Sequence, residues 1–423
     1  MINFSIKTLG CKVNQYESEK MESGLKEAGF TMSRSWLNLN IIIINTCAVT
    51  HIAERKSRQF IRKAAKLNPT ATIFITGCAT KTDSTRLQEI LGVNVIYFDK
   101  EMVVNHIRDL FKPSLKATLP VQYHIPIEED TTEQPDHCRS YLMIQDGCEN
   151  FCSYCIIPHI RGRNKPKAFH EIKKEILALN NKGCKEIVLT GINLGMYKDE
   201  DYSLTNVCSH IFYSCPETRI RLSSIEPNLI PDHLVDLMAN EKRFCKHLHI
   251  PLQSGSDTIL RKMNRKYSTS EYLNLITRIR ARIPDISITT DLIIGFPTES
   301  EKEFYETLTF IKRCQFSKIH IFPYSRRIGT PAAELQQSIT QTELQKRLNL
   351  VSFTEKEMRL HHLSQFVNTC QEILLEQEKD GFFWGYTSNY LRVCLPNNSY
   401  SSNTFVNVLI NRLEEGFLHS LPL

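Results

Sequence analysis

The chain has 423 residues, 23% of them charged and 41% hydrophobic, with a formal net charge of +6. This is an ordinary soluble composition, long enough for two or three domains. It excludes a bilayer-spanning helix, since no apolar run approaches the roughly 20 residues one needs. Fourteen cysteines, with no basic-then-apolar start, argue against a disulfide framework. They favour metal or redox chemistry in a reducing compartment, so a cytoplasmic location with no membrane partner is expected.

Residues 1–111 read as a parallel α/β domain. Short apolar runs lie at 2–6, 41–44 and 73–75. Each is followed by a cysteine: Cys11 in Thr8-Leu9-Gly10-Cys11-Lys12-Val13-Asn14, Cys47 in Asn45-Thr46-Cys47-Ala48, and Cys78 in Thr76-Gly77-Cys78-Ala79. Helical periodicity follows the first two cysteines, at 16–28 and 53–67, giving strand, loop and helix in repetition. Loops at the carboxyl ends of parallel strands share one edge, so the three cysteines can converge. The alternative is three unrelated buried thiols. The same position in three successive units speaks against it. On the segment after Cys47, Arg55, Arg58, Arg62 and Lys66 fall on one helical stripe, as a solvated face or as a phosphate-binding one. A strand at 93–98 and a helix at 100–111 close the domain. Residues 112–137, with four prolines and an acidic run, read as a linker.

Residues 138–361 alternate strand candidates (139–144, 186–189, 220–224, 247–252, 286–294, 318–322) with helical segments such as 169–181, 269–282 and 299–313. Six β/α units make an open partial barrel, whose ligands belong at the carboxyl ends of the strands. The first strand runs into Cys148, Cys152 and Cys155, spaced C-x3-C-x2-C. Three thiolates this close hold three corners of a [4Fe–4S] cube and leave the fourth iron open. The bland alternative is a zinc knuckle completed by His159. Later strands end in polar residues: Thr190-Gly191, Ser224 with Glu226, and Gln253. Arg261, Lys262, Arg265 and Lys266 form a second basic cluster. This region holds 32 basic and 25 acidic side chains, which suits an RNA backbone. Residues 334–375 look largely helical. The rest of 362–423 alternates short strands and polar turns, as a small β-barrel does. The remaining eight cysteines (Cys138, Cys184, Cys208, Cys215, Cys245, Cys314, Cys370, Cys394) are expected to be core fillers or surface thiols.

The C-x3-C-x2-C triplet, with Tyr154 before its last cysteine, resembles the signature of radical S-adenosylmethionine (SAM) enzymes. Together with the Cys11, Cys47 and Cys78 motifs in this order, it resembles the methylthiotransferase family. That resemblance implies two [4Fe–4S] clusters: a radical SAM cluster on Cys148, Cys152 and Cys155, and an auxiliary one on Cys11, Cys47 and Cys78. It implies SAM contacts at Tyr154, Thr190, Gly191, Ser224, Glu226 and Gln253. It also implies a terminal TRAM-like barrel, where the aromatics of 382–390 are expected to stack on bases. Arg161 and Arg163 are expected to reach substrate or SAM.

Gly10-Cys11-Lys12-Val13-Asn14 and the segment 323–332 look most like the MtaB branch, whereas the isopentenyladenosine branch usually reads G-C-Q-M-N and the ribosomal-protein branch G-C-P-K-N. The expected reaction is therefore methylthiolation at C2 of threonylcarbamoyladenosine, position 37 of tRNA. Such a carbon offers no acidic proton and no leaving group, so acid–base or nucleophilic catalysis has little to act on and a radical route avoids the difficulty. The expected partners are the tRNA anticodon stem-loop and an external one-electron reductant of flavodoxin or ferredoxin type, not DNA. The alternatives are the two sister branches and, from another class, a non-catalytic iron–sulfur or zinc protein.

Overall fold

Ile41, Ile42, Ile43 and Ile44 are all fully buried. Such a run of β-branched residues, with no polar alternation, is what a central strand of a parallel sheet covered on both faces requires. In the computed structural model, which describes residues 2–81, 95–97, 100, 102–115, 138–337, 339–397 and 400–423, they lie in β3 (Ile41–Thr46). Its sheet also contains β1 (Asn3–Thr8), β2 (Thr31–Met32), β4 (Thr72–Gly77) and β5 (Val95–Tyr97), in the order β2-β1-β3-β4-β5, every pairing parallel. Helices α1 (Lys12–Glu27), α2 (His51–Leu67) and α3 (Val103–Leu115) accompany it. Phe4, Ile41, Ile43 and Phe74 pack with Met21, Leu25, Val103 and Ile107. Of the expected 93–98 strand and 112–137 linker, residues 93, 94, 98 and 116–137 lie outside the described ones. Met1–Gln134 together with His159–Arg161 form one compact unit; Pro135–Pro158 and Gly162–Leu423 form the other.

In the second unit, β6 (Arg139–Asp146) pairs with the short edge strand β7 (Lys165–Pro166) on one side and with β8 (Glu186–Gly191) on the other. A two-stranded hairpin, β9 (Lys198–Asp199) and β10 (Tyr202–Ser203), follows β8. Next to β8 runs β11 (Arg219–Leu222). Parallel bridges Ile220–Phe244 and Ser224–His249 carry the ladder on to β12 (His247–His249). Then come β13 (Ser287–Ile294) and β14 (Lys318–Pro323). Six parallel strands in chain order thus form the open partial barrel that the alternating pattern implied. Outward residues such as Ile187, Leu189, Ile220 and Leu222 pack on the surrounding helices in one continuous core.

The last strands are β15 (Cys370–Lys379), β16 (Phe382–Thr387), β17 (Arg392–Pro396), β18 (Thr404–Glu414) and β19 (Phe417–Pro422). They close into a small barrel in the order β15-β16-β17-β19-β18. The expectation of helix through residue 375 is corrected here. The helix Gln341–Ser364 ends before β15. The helix-favouring run Gln371-Glu372-Ile373-Leu374-Leu375 is held as strand by pairing on both sides, with β16 and β18.

This barrel abuts the amino-terminal ends of the partial-barrel strands. Fully buried Glu186 sits among three arginines: Arg139 at 2.8 Å, Arg219 at 2.6 Å and Arg221 at 2.9 Å. The same arginines reach into the small barrel. Arg139 pairs with Glu376 at 2.5 Å, Arg219 donates to the Tyr386 carbonyl at 2.9 Å, and Arg221 to the Thr387 and Ser388 carbonyls at 3.1 Å. Burial alone would raise the Glu186 carboxyl, but the three guanidiniums hold it well below the usual carboxylate range. The Arg221 guanidinium lies 4.4 Å from the Tyr390 ring centroid, and Arg139 lies 5.0 Å from that of Tyr386. These two half-buried tyrosines thus face arginines of the partial barrel. Among the described residues no helix is long and apolar enough to cross a membrane.

Candidate active site

The register of the amino-terminal sheet brings its three cysteine loops together. Thr8 pairs with Asn45 and Thr46 with Gly77, so Cys11, Cys47 and Cys78 each follow neighbouring strand ends. Gly10, at φ 120°, leaves space only for a hydrogen. A Cβ there would stand 2.8 Å from the Cys47 Cβ and 3.1 Å from its sulfur. Asn14 ties the loops, its amide nitrogen donating to the carbonyls of Leu9 (3.1 Å) and Thr46 (2.9 Å). Its oxygen accepts from the Cys11 thiol at 3.3 Å. Burial raises the Cys78 thiol, against the pull of the nearby Arg161 charge.

In α2 the buried positions Glu54, Ser57, Ile61 and Ala64 form one face. Arg55, Arg62 and Lys66 are therefore exposed and Arg58 half-buried. Thr50 caps the helix, accepting from the Ala53 amide at 3.1 Å.

At the top of the partial barrel, Gly147 (φ 73°) starts the second cysteine loop. A Cβ there would stand 1.9 Å from the Arg163 carbonyl oxygen. The loop is pinned by its backbone. The Cys148 amide donates to Gly162 (3.1 Å) and the Ser153 amide to Met263 (3.0 Å), while the Ser153 carbonyl accepts from Ala332 (2.8 Å). The thiols are close enough for each charge to be felt by the others. Burial pushes Cys155 up to about 12, with Cys152 and Cys148 adding to the rise, and raises Cys148 as well. Such thiols stay protonated until iron displaces the proton. Both donor sets consist of three cysteine sulfurs on rigid loops, which fits a cube with one iron left open. Among the described residues no three His, Cys, Asp or Glu side chains converge on a single ion; a cube takes its thiolates on separate irons. His159, the fourth ligand in the zinc alternative, groups with the amino-terminal unit.

The Radical SAM superfamily model matches residues 142–311, and that of uncharacterized protein family UPF0004 matches residues 3–98. The threonylcarbamoyladenosine tRNA methylthiotransferase MtaB of Bacillus subtilis is 36% identical over 93% of this chain and 90% of its own. Its namesake from Thermotoga maritima is 35% identical over 92% and 90%. A tRNA-2-methylthio-N(6)-dimethylallyladenosine synthase from Endomicrobium trichonymphae is 30% identical over 99% of both. The chain belongs to the radical SAM tRNA methylthiotransferase family. In fold it is similar to the radical SAM methyltransferase TsrM of Kitasatospora setae, with a TM-score of 0.55, 13% identity, and coverage of 79% of this chain and 77% of that one.

In this methylthiotransferase the residues expected to touch SAM line the rim of the partial barrel. Thr190 and Gly191 end β8, and a Cβ on Gly191 would meet the Gln145 side chain at 2.9 Å. Ser224 bridges to His249, and Gln253, at φ 68°, to Leu292. Glu226 lines a shallow groove with Asn150, Cys152, Asn228, Asn264, Arg265 and Lys266. Tyr154 packs against Ile259, Met263, Ile293, Phe296 and Ala332, its hydroxyl 3.5 Å from Arg265.

One arginine stands elsewhere than the sequence suggested. Arg265 is not part of an RNA-facing cluster with its exposed neighbours Arg261, Lys262 and Lys266. It is buried and donates to the Cys152 sulfur at 3.2 Å, to the Tyr267 hydroxyl at 2.9 Å and to the Glu226 carboxylate. Asn264, at φ 58°, turns the backbone so that the next side chain points inward. The only sequence signal was that asparagine. Arg161 lies with Glu17 and Asn14 in the amino-terminal unit. Arg163 is exposed, 3.9 Å from Glu149.

Proposed function

We propose that this enzyme methylthiolates C2 of threonylcarbamoyladenosine at position 37 of tRNA, using two [4Fe–4S] clusters and two molecules of SAM. The observation that carries the reading is the pair of separate cysteine triads, Cys11/Cys47/Cys78 and Cys148/Cys152/Cys155, each on loops at the carboxyl ends of parallel strands. The first motif, Gly10-Cys11-Lys12-Val13-Asn14, supports the threonylcarbamoyl branch, as do the names of the 36% and 35% identical relatives.

When bound, the clusters supply the electron for reductive SAM cleavage at the barrel triad and carry the transferred sulfur at the amino-terminal one. The protein's part is to hold and to exclude. Arg265 bonds the Cys152 sulfur and orients Glu226, whose carboxylate is placed to accept from a ribose hydroxyl. Thr190, Gly191, Ser224 and Gln253 offer backbone and hydroxyl contacts, and Tyr154 an apolar ring for adenine. The exposed cations of α2 receive the anticodon stem-loop. The electron comes from an external flavodoxin- or ferredoxin-type donor, and the setting is the cytoplasm. We keep the division into 1–111, 138–361 and 362–423 as the functional domains, with 112–137 as linker.

The test is nucleoside mass spectrometry of tRNA from cells lacking the protein. Threonylcarbamoyladenosine should accumulate and its methylthio derivative vanish. Loss of methylthio-isopentenyladenosine, or of a methylthio-aspartate in a ribosomal protein, would overturn the branch assignment while leaving the enzyme class intact.

A further inference from the structure

Arg161 has only 5% of its side chain exposed and belongs by its contacts to the amino-terminal unit. Burying a guanidinium is costly unless its charge and its donors are met. Its Nη1 donates to Glu17 at 2.9 Å and its Nη2 to the Asn14 side-chain oxygen at 3.1 Å, the same oxygen that accepts from the Cys11 thiol at 3.3 Å. Glu17 is shared with Lys100 at 2.7 Å. Asn14 in turn fixes the Cys11 loop through the Leu9 and Thr46 carbonyls. One planar group thus reaches the loops of two cysteines, Cys11 and Cys47, through a single amide.

We propose that Arg161 is a positioning residue for the amino-terminal cysteine triad: its guanidinium, fixed by Glu17, holds in place the Asn14 amide that ties the Cys11 and Cys47 loops and keeps a cation near the thiolates when iron and sulfide are loaded. This rests on the two-cluster reading above. Groups that orient and hydrogen-bond metal ligands from behind are worth about 10- to 100-fold in metal affinity, and charge and hydrogen bonds at the sulfurs set a cluster's potential. A lysine would keep the charge but lose the fork that reaches amide and carboxylate together.

The experiment uses the full chain with Cys148, Cys152 and Cys155 all replaced by alanine, so that only the amino-terminal triad can hold a cluster. Two quantities are read after anaerobic reconstitution: iron affinity by chelator competition, and the midpoint potential by a redox titration followed by EPR. In that background Arg161→Met should lower iron affinity by about tenfold or more and shift the potential to more negative values. Arg161→Lys should restore the potential more fully than the affinity. Arg161→Met combined with Glu17→Gln should remain shifted in both. If Arg161→Met keeps the parent's affinity and potential, the proposal is wrong. It is equally wrong if the double variant regains both, because Arg161 then serves only to neutralise Glu17. If the parent itself takes up no iron, the two-cluster reading fails first and takes this proposal with it.

Discussion

Arg265→Met is the substitution that most directly probes the barrel site. The native side chain is 3% exposed and bonds three groups: the Cys152 sulfur, the Tyr267 hydroxyl and the Glu226 carboxylate. Methionine is similarly long and apolar, so the cavity left is small. Glu226 keeps 15% of its side chain exposed and can recover solvent. What is not recovered is the donor to the Cys152 sulfur. A hydrogen bond to a charged group is worth about 1.5–3 kcal/mol, which corresponds to about a ten- to hundredfold loss in cluster affinity or in SAM cleavage. The assay is iron content after anaerobic reconstitution, followed by the rate of deoxyadenosine formation under a chemical reductant. Arg265→Lys should recover part of the loss, because it keeps a cation but not the fork. A variant with parental iron content and parental SAM cleavage, but weaker tRNA binding, would refute this reasoning and return Arg265 to the RNA-facing cluster.

Four further outcomes are expected. The reconstituted wild type should hold about eight irons, and the Cys148/Cys152/Cys155→Ala chain about four, by iron and sulfide analysis; a triple variant that keeps all its iron would contradict the assignment of two triads. Cys152→Ala should make no deoxyadenosine, whereas Cys47→Ala should still cleave SAM yet form no methylthio nucleoside; product at the wild-type rate from Cys47→Ala would remove the amino-terminal triad from sulfur transfer. Charge reversal at Arg58 and Arg62 should weaken tRNA binding and reduce the slope of log affinity against log salt by about one for each phosphate no longer neutralised, and an unchanged slope would take α2 out of the interface. Glu186→Gln should destabilise the apo-protein at neutral pH by about 3–5 kcal/mol, since it strands buried guanidiniums. The Glu186 carboxyl lies well below its ordinary 4.5 in the folded state, so its contribution is fully present above that value and is lost as pH falls beneath it. Urea unfolding at neutral and acid pH should show the gap between parent and variant closing on acidification; a constant gap would show that the charge is not the cause.

Much of the fold is legible because its signals are local. The four isoleucines of β3 announce a covered central strand, and a cysteine after each of three apolar runs marks one sheet edge. Seven of the eight scattered cysteines are buried, as thiol core fillers are, and Cys370 is exposed. The misreadings arise where tertiary contacts overrule local chemistry. Arg265 stands in a run of basic residues that a helical wheel assigns to solvent, but one left-handed asparagine turns it inward. Glu372 to Leu375 favour helix, yet two neighbouring strands claim their backbone. Tyr386 and Tyr390 pack against the arginines of distant strands, a contact that no local pattern announces. No spacing rule pairs Arg161 with Glu17, 144 residues apart. Only the folded chain does so.

The charge cluster under the partial barrel bears on how this protein can be inherited and cut. Arg139, Arg219 and Arg221 each take a partner from the last barrel, and Glu186 alone cannot balance three guanidiniums. Loss of residues 370–423 would take away the acceptors that Glu376, Tyr386, Thr387 and Ser388 give these three arginines. Any replacement for the carboxyl-terminal barrel therefore has to supply acceptors at the same places. Truncating it to ask whether it binds RNA would report on stability instead, and only surface substitutions on its outer strands can separate the two.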